Sequence, residues 1–191
     1  MSSIKLTADS GGGTVELKAP ASTTSNAAKT FTISPDGLLG ITEADQWRIN
    51  SSTDTNSAFL TANWERNDHS FSKIGTGMSE SSGVFSFPST GIWQVVFEMS
   101  CRKDNTAVRY AGGQIYHTSD NSSYSEIAVK YNYFGSASWS YASTFNSAIL
   151  DITNVSNQKV KFKVEAASSI SFLGGTNINE TAATFMKLGD T

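Results

Sequence analysis

The sequence predicts an all-β protein, an antiparallel sandwich or jelly roll, and three observations lead there. Strand-like segments recur at short intervals, one of them alternates cleanly between apolar and polar residues, and no window carries apolar residues at i, i+3, i+4 and i+7 between helix caps. The segments are Trp47–Asn50, Gly83–Phe87, Gly91–Cys101, Tyr110–His117, Tyr124–Phe134, Phe145–Ile152, Val160–Ala166 and Ala183–Leu188. The clean alternation is Val160-Lys161-Phe162-Lys163-Val164-Glu165, which puts Val, Phe and Val on one face and Lys, Lys and Glu on the other. In Gly91–Cys101 the residues Trp93, Val95, Phe97 and Met99 separate in the same way from Ile92, Gln94, Val96 and Glu98. A parallel sheet would need helical crossovers between its strands, so antiparallel pairing is expected.

The composition suits short strands joined by many turns. Hydrophobic residues are 38% and charged residues 16% of the 191, and the remainder is rich in Ser, Thr, Asn and Gly. This length supports one well-buried core with a short additional segment. With 14 Lys and Arg against 17 Asp and Glu, the net charge of −3 offers no broad basic field, so nucleic acid is not an expected partner. Met1–Asp9 has no continuous apolar stretch of a secretion signal, and no apolar run approaches a bilayer span, so membrane insertion is not expected either. The single cysteine, Cys101, excludes an intrachain disulfide and fits folding in a reducing cytosol. It closes a strand pattern with neither His69 nor His117 near it in sequence, which favours a structural thiol over a nucleophile.

Residues 1–40 read as an attachment arm and 41–191 as the main domain. The arm is turn-rich, with Ser10-Gly11-Gly12-Gly13 and Ala19-Pro20-Ala21-Ser22, and its short patches Thr14–Lys18 and Thr30–Ile33 could pair as strands while burying too little to fold alone. Ser34-Pro35-Asp36-Gly37 forms a turn at the boundary, where Pro presets one dihedral angle and Gly permits positive φ.

The segment Gly83-Val84-Phe85-Ser86-Phe87-Pro88-Ser89-Thr90-Gly91-Ile92-Trp93 explains itself physically. Pro88 ends one strand because it cannot donate to the ladder, Gly91 opens the next, and Phe85, Phe87 and Trp93 supply apolar area to facing sheets. This arrangement resembles the central signature of C1q/TNF-like domains, carried here by Gly83, Phe85, Phe87, Pro88, Gly91 and Trp93. The tail Ala183-Thr184-Phe185-Met186-Lys187-Leu188-Gly189 is similar to the last strand of that fold, which runs back through the middle of a sheet. The resemblance implies a C1q/TNF-like jelly roll that works as a homotrimer, with some large apolar residues facing a partner chain. The arm, from Ile4-Lys5-Leu6-Thr7 through Val15-Glu16-Leu17-Lys18-Ala19-Pro20 to Thr30-Phe31-Thr32-Ile33, also resembles a leader found on tail-fibre and other surface proteins of tailed phages.

Two clusters are candidates for contact with a partner or ligand. Tyr131, Tyr133, Phe134, Trp139 and Tyr141 lie in one aromatic stretch interleaved with Asn, Gly, Ala and Ser, which suits a trimer contact, core packing, or stacking on a sugar or protein surface. Trp64 and Arg66, within Asn63-Trp64-Glu65-Arg66-Asn67-Asp68-His69, form a candidate recognition loop, against the plainer reading of an inward Trp64 with its charged neighbours in solvent. Asp120-Asn121-Ser122-Ser123 lacks the spaced carboxylates of a calcium loop and reads as a turn. The two histidines lack a partner at helical spacing and no nucleotide or nucleophile motif occurs, so no metal, cofactor or catalytic residue is expected.

Together these readings anticipate a non-enzymatic virion surface protein of a tailed phage, made in the host cytoplasm. Its expected role is a trimeric knob for attachment or host recognition, of tail-fibre or receptor-binding type. The alternative is a capsid decoration or head-fibre protein. The expected partners are other copies of itself, virion proteins through the arm, and a host surface glycan or protein. A polysaccharide depolymerase tip is disfavoured by the missing carboxylate pairs and a secreted lectin by the lack of a signal-peptide pattern in Met1–Asp9.

Overall fold

A computed structural model describes residues 40–191 together with the strands β1 (Val15–Lys18) and β2 (Thr30–Ile33). By backbone contacts the chain divides into Met1–Gly40 and Ile41–Thr191. Within the first unit β1 and β2 pair antiparallel from Val15 opposite Ile33 to Lys18 opposite Thr30, as their alternation anticipates. The turn at Ser34–Gly37 and the rest of the N-terminal segment lie outside the described residues.

The second unit is built of strands alone among the described residues. They are β3 (Ala44–Ile49), β4 (Ser51–Phe59), β5 (Trp64–Arg66), β6 (Lys73–Ile74), β7 (Ser79–Ser81), β8 (Val84–Ser86) and β9 (Gly91–Lys103), followed by β10 (Val108–Thr118), β11 (Ser125–Phe134), β12 (Ser140–Ile152), β13 (Lys159–Gly175) and β14 (Ala182–Gly189). One layer runs β5-β3-β14-β9-β12, so the C-terminal strand lies inside the sheet between β3 and β9. The other layer runs β11-β10-β13, with β8 and β4 along the opposite edge of β13. The long β13 joins the layers. Its first half pairs with β10, and beyond an irregularity after Glu165 its Ser171 and Phe172 pair with Arg102 and Cys101 of β9.

Alternation decides what the layers enclose. Trp93, Val95, Phe97, Met99 and Cys101 of β9 and Val160, Phe162 and Val164 of β13 point inward and are buried. Phe85 sits among four rings, Trp47, Trp64, Phe162 and Phe185, at centroid distances of 5.6, 5.0, 5.5 and 5.2 Å. Pairs of this kind contribute about 0.5–1.5 kcal/mol each beyond the area they bury. The predicted signature is therefore a core element. Phe85, Phe87 and Trp93 are all buried, and Phe87 meets Trp93 edge-on at 5.3 Å. Gly83 has φ of 79° and a Cβ there would collide with the carbonyl oxygen of Leu60, so no other residue fits the turn into β8.

Several strands carry no apolar alternation. β4, Ser-Ser-Thr-Asp-Thr-Asn-Ser-Ala-Phe, is almost wholly polar and owes its place to the backbone ladder with β13. β5, β6 and β7 are two or three residues long, too short for a period to register.

Candidate functional site

The structure separates the aromatic stretch into three environments. Tyr131 and Tyr133 project from the outer face of β11 and are exposed. There Tyr131 receives a hydrogen bond from Gln114 Nε2 at 2.9 Å, and the same nitrogen donates to Glu165, itself held by Lys163 at 3.0 Å. Burial pushes the Tyr131 hydroxyl upward in pKa, and the hydrogen bond from Lys163 draws the Glu165 carboxyl down. Phe134 takes the core-packing reading and leaves the contact surface. One residue beyond Tyr133, it points the opposite way along the strand and is only 5% exposed, so it belongs to the core and presents nothing to a partner. Trp139 and Tyr141, 54% and 60% exposed, flank the start of β12 on the other layer.

The first half of β12 reverses the usual polarity of a sandwich strand. Its inward side begins with Ala142, Thr144 and Asn146 before turning apolar at Ala148, Leu150 and Ile152, whereas its outward side carries Tyr141, Phe145 and Ile149, separated by Ser143 and Ser147. The cause lies opposite, in β10. Gly113 donates its amide to Thr144 Oγ1 at 3.2 Å and accepts from Asn146 Nδ2 at 3.0 Å, and a Cβ on Gly113 would come within 2.7 Å of the Phe97 ring. The layers approach too closely there for large side chains, so the rings of β12 lie outside. Phe145 and Ile149 are 58% and 66% exposed. Register sets Tyr141, Phe145 and Ile149 opposite Arg102, Glu98 and Gln94 of β9, forming an apolar row beside a polar one on a single face. Phe145 and Ile149 escaped sequence reasoning, although stepping by two from Tyr141 reveals the row.

The candidate recognition loop is a strand, and its side chains are committed to structure. The Trp64 indole packs edge-on against Phe85 and donates to the carbonyl of Leu60 at 2.8 Å. Arg66 grips both oxygens of the buried Asp45 and also donates to the Met78 carbonyl at 2.6 Å. Asp45 further accepts from the Trp47 indole and the Met78 amide at 2.9 and 2.7 Å. A buried carboxylate needs that many partners to offset lost hydration, which commits the Nε and Nη2 of Arg66 to the fold. The outward Arg48 is likewise enclosed by Asn67, Asp68 and Glu65.

Other polar groups are occupied locally. Asp120 accepts from the Ser123 and Ser122 amides at 2.7 and 2.9 Å and from the Thr118 hydroxyl at 2.8 Å, which holds its carboxyl below the usual range and closes the turn. The Cys101 thiol is buried and pushed up to about 12 by desolvation, so it is inert as a nucleophile near neutral pH.

Comparison with solved structures matches this architecture. Murine APRIL at pH 5.0 superposes with a TM-score of 0.54 at 13% identity, over 76% of this chain and 98% of that one. Eiger TNF from S. frugiperda superposes with a TM-score of 0.57, also at 13% identity, over 78% and 93%. The fold is a TNF-like jelly roll. No protein-family model matches the sequence, and no curated protein matches it. At such identity the likeness carries the fold alone, and within it β14 occupies the mid-sheet place anticipated for the last strand of a C1q/TNF-like domain.

Proposed function

We propose that the chain is a self-associating, non-enzymatic display module, a homotrimeric knob on the surface of a tailed-phage virion. The observation that carries it is the inverted first half of β12, whose outward Tyr141, Phe145 and Ile149 form an apolar row on a face that the rest of residues 41–191 leaves uncovered. An exposed row of this kind marks an interaction surface, and identical chains supply a matching one at no further cost in sequence. The TNF-like fold supports the reading, because sandwich protomers can close a ring through one sheet face each. The likeness of residues 1–40 to phage surface-protein leaders supports attachment to other virion proteins through that segment, leaving the jelly roll facing the host.

A reconstruction of the virion tests both parts. The expected result is three copies about a threefold axis, with Tyr141, Phe145 and Ile149 at the contacts and residues 1–40 at the virion. Absence from the particle, or isolated single copies, would contradict the proposal. Copy number also decides the alternative site of attachment: a few to some tens fit fibres, and hundreds fit capsid decoration.

A further inference from the structure

At the end of the β12 face where β13 crosses between layers, a cleft of about 240 Å³ is lined by Asp54, Arg102, Asp104, Trp139, Ser169 and Ser171, with Lys103 and Ile170 completing its wall. Strand register builds its floor. Asp54 pairs with Ser171, Ser171 with Arg102, and Arg102 with Tyr141, so a carboxylate, a hydroxyl, a guanidinium and a phenol stand side by side on one face. Among the described residues neither the Asp54 carboxylate nor the Arg102 guanidinium has a hydrogen-bond or ion-pair partner; Arg102 instead stacks on Trp139, 4.9 Å from the ring centroid.

Trp139 itself is held in an unfavourable conformation. Its φ is 57°, in the left-handed region that bulky L-residues avoid and that Gly or Asn would occupy more readily. Two loops keep it there. Its amide donates to Asp104 at 3.2 Å, Asn105 donates to the Ala137 carbonyl at 3.0 Å, and the Ser140 hydroxyl donates to the Gly135 carbonyl at 2.8 Å. The indole fills no core space, yet the chain places it at the mouth of the cleft with more than half its surface in solvent. Such strain at an exposed ring points to use of the ring.

We infer that this cleft binds a neutral, hydroxyl-rich pyranoside. The free indole surface takes the C–H face of the sugar ring, the Asp54 carboxylate accepts from hydroxyl groups, and Arg102 donates to sugar oxygens. Two basic and two acidic side chains line the cleft, Arg102 and Lys103 against Asp54 and Asp104, so no net charge draws an acidic sugar. The inference builds on the display reading by assigning its ligand class, but the two fail separately, because assembly is read by mass and the cleft by binding.

The test is a binding screen of the full chain against immobilised neutral oligosaccharides, namely maltohexaose, mannohexaose and galactohexaose, with an alginate hexamer as the acidic comparison. Binding to at least one neutral probe is expected. It should weaken at least tenfold in Asp54→Asn and in Trp139→Gly and stay within twofold in Tyr133→Ala, whose ring lies on the other layer. Trp139→Gly should also keep or raise the melting temperature, since it relieves the strained φ while removing the ring. No neutral binding, binding of alginate alone, or neutral binding unchanged by Asp54→Asn and Trp139→Gly would overturn the inference.

Discussion

Around Phe85, rings from β3, β5, β8, β13 and β14 turn inward and cover one another, whereas along β12 the rings turn outward and the first half of the inward side is closed by hydrogen bonds to Gly113. The first region finishes its packing within one chain. The second leaves Tyr141, Phe145 and Ile149 exposed, uncovered by the rest of residues 41–191. The same sandwich thus sets a self-covered ring cluster with its Asp45 end apart from the single strand to which the proposal assigns association.

That separation can be broken at either side. The largest expected effect is Phe85→Ala, which empties a fully buried site contacted by four rings and should lower folding stability by about 3–5 kcal/mol, measured by denaturant unfolding. Next is Asp45→Ala. It strands Arg66 and the Met78 amide, and a loss of about 3 kcal/mol is expected by the same measurement. The triple change Tyr141→Ser, Phe145→Ser and Ile149→Ser should leave the monomer folded, with about 0.5 kcal/mol or less per site, while abolishing self-association in sedimentation velocity. A triple variant that unfolds would show that these rings support their own chain.

The last effect is confined to pH away from neutrality. Burial raises the Cys101 thiol from its ordinary 9.0 to about 12, so above pH 9 the unfolded chain releases a proton that the folded chain keeps. Stability should therefore fall as pH rises between 9 and 12, and this slope should flatten in Cys101→Ala. Desolvation lowers the His117 pKa, so the unfolded chain binds its proton first as pH falls, and stability should decline on the acid side of His117's ordinary 6.5.

Much of the fold was legible because burial wrote itself as a period of two. Val160–Glu165 and the Gly83–Trp93 signature behave as their alternation and turn chemistry predict. β4 was illegible because a polar strand held by its ladder leaves no apolar trace. The aromatic stretch is divided by parity. Phe134 follows Tyr133 directly, and neighbours in a strand face opposite ways, so proximity in sequence counted rings together that the sheet keeps apart. Trp64 and Arg66 looked like a loop because charge flanks them, but the charge answers a carboxylate at Asp45, a partner distant in sequence.

Light scattering on the purified chain at micromolar concentration tests the central claim most directly. The account predicts three chain masses for the wild type and one for the Tyr141, Phe145 and Ile149 variant. A wild type that stays at one chain mass would contradict it.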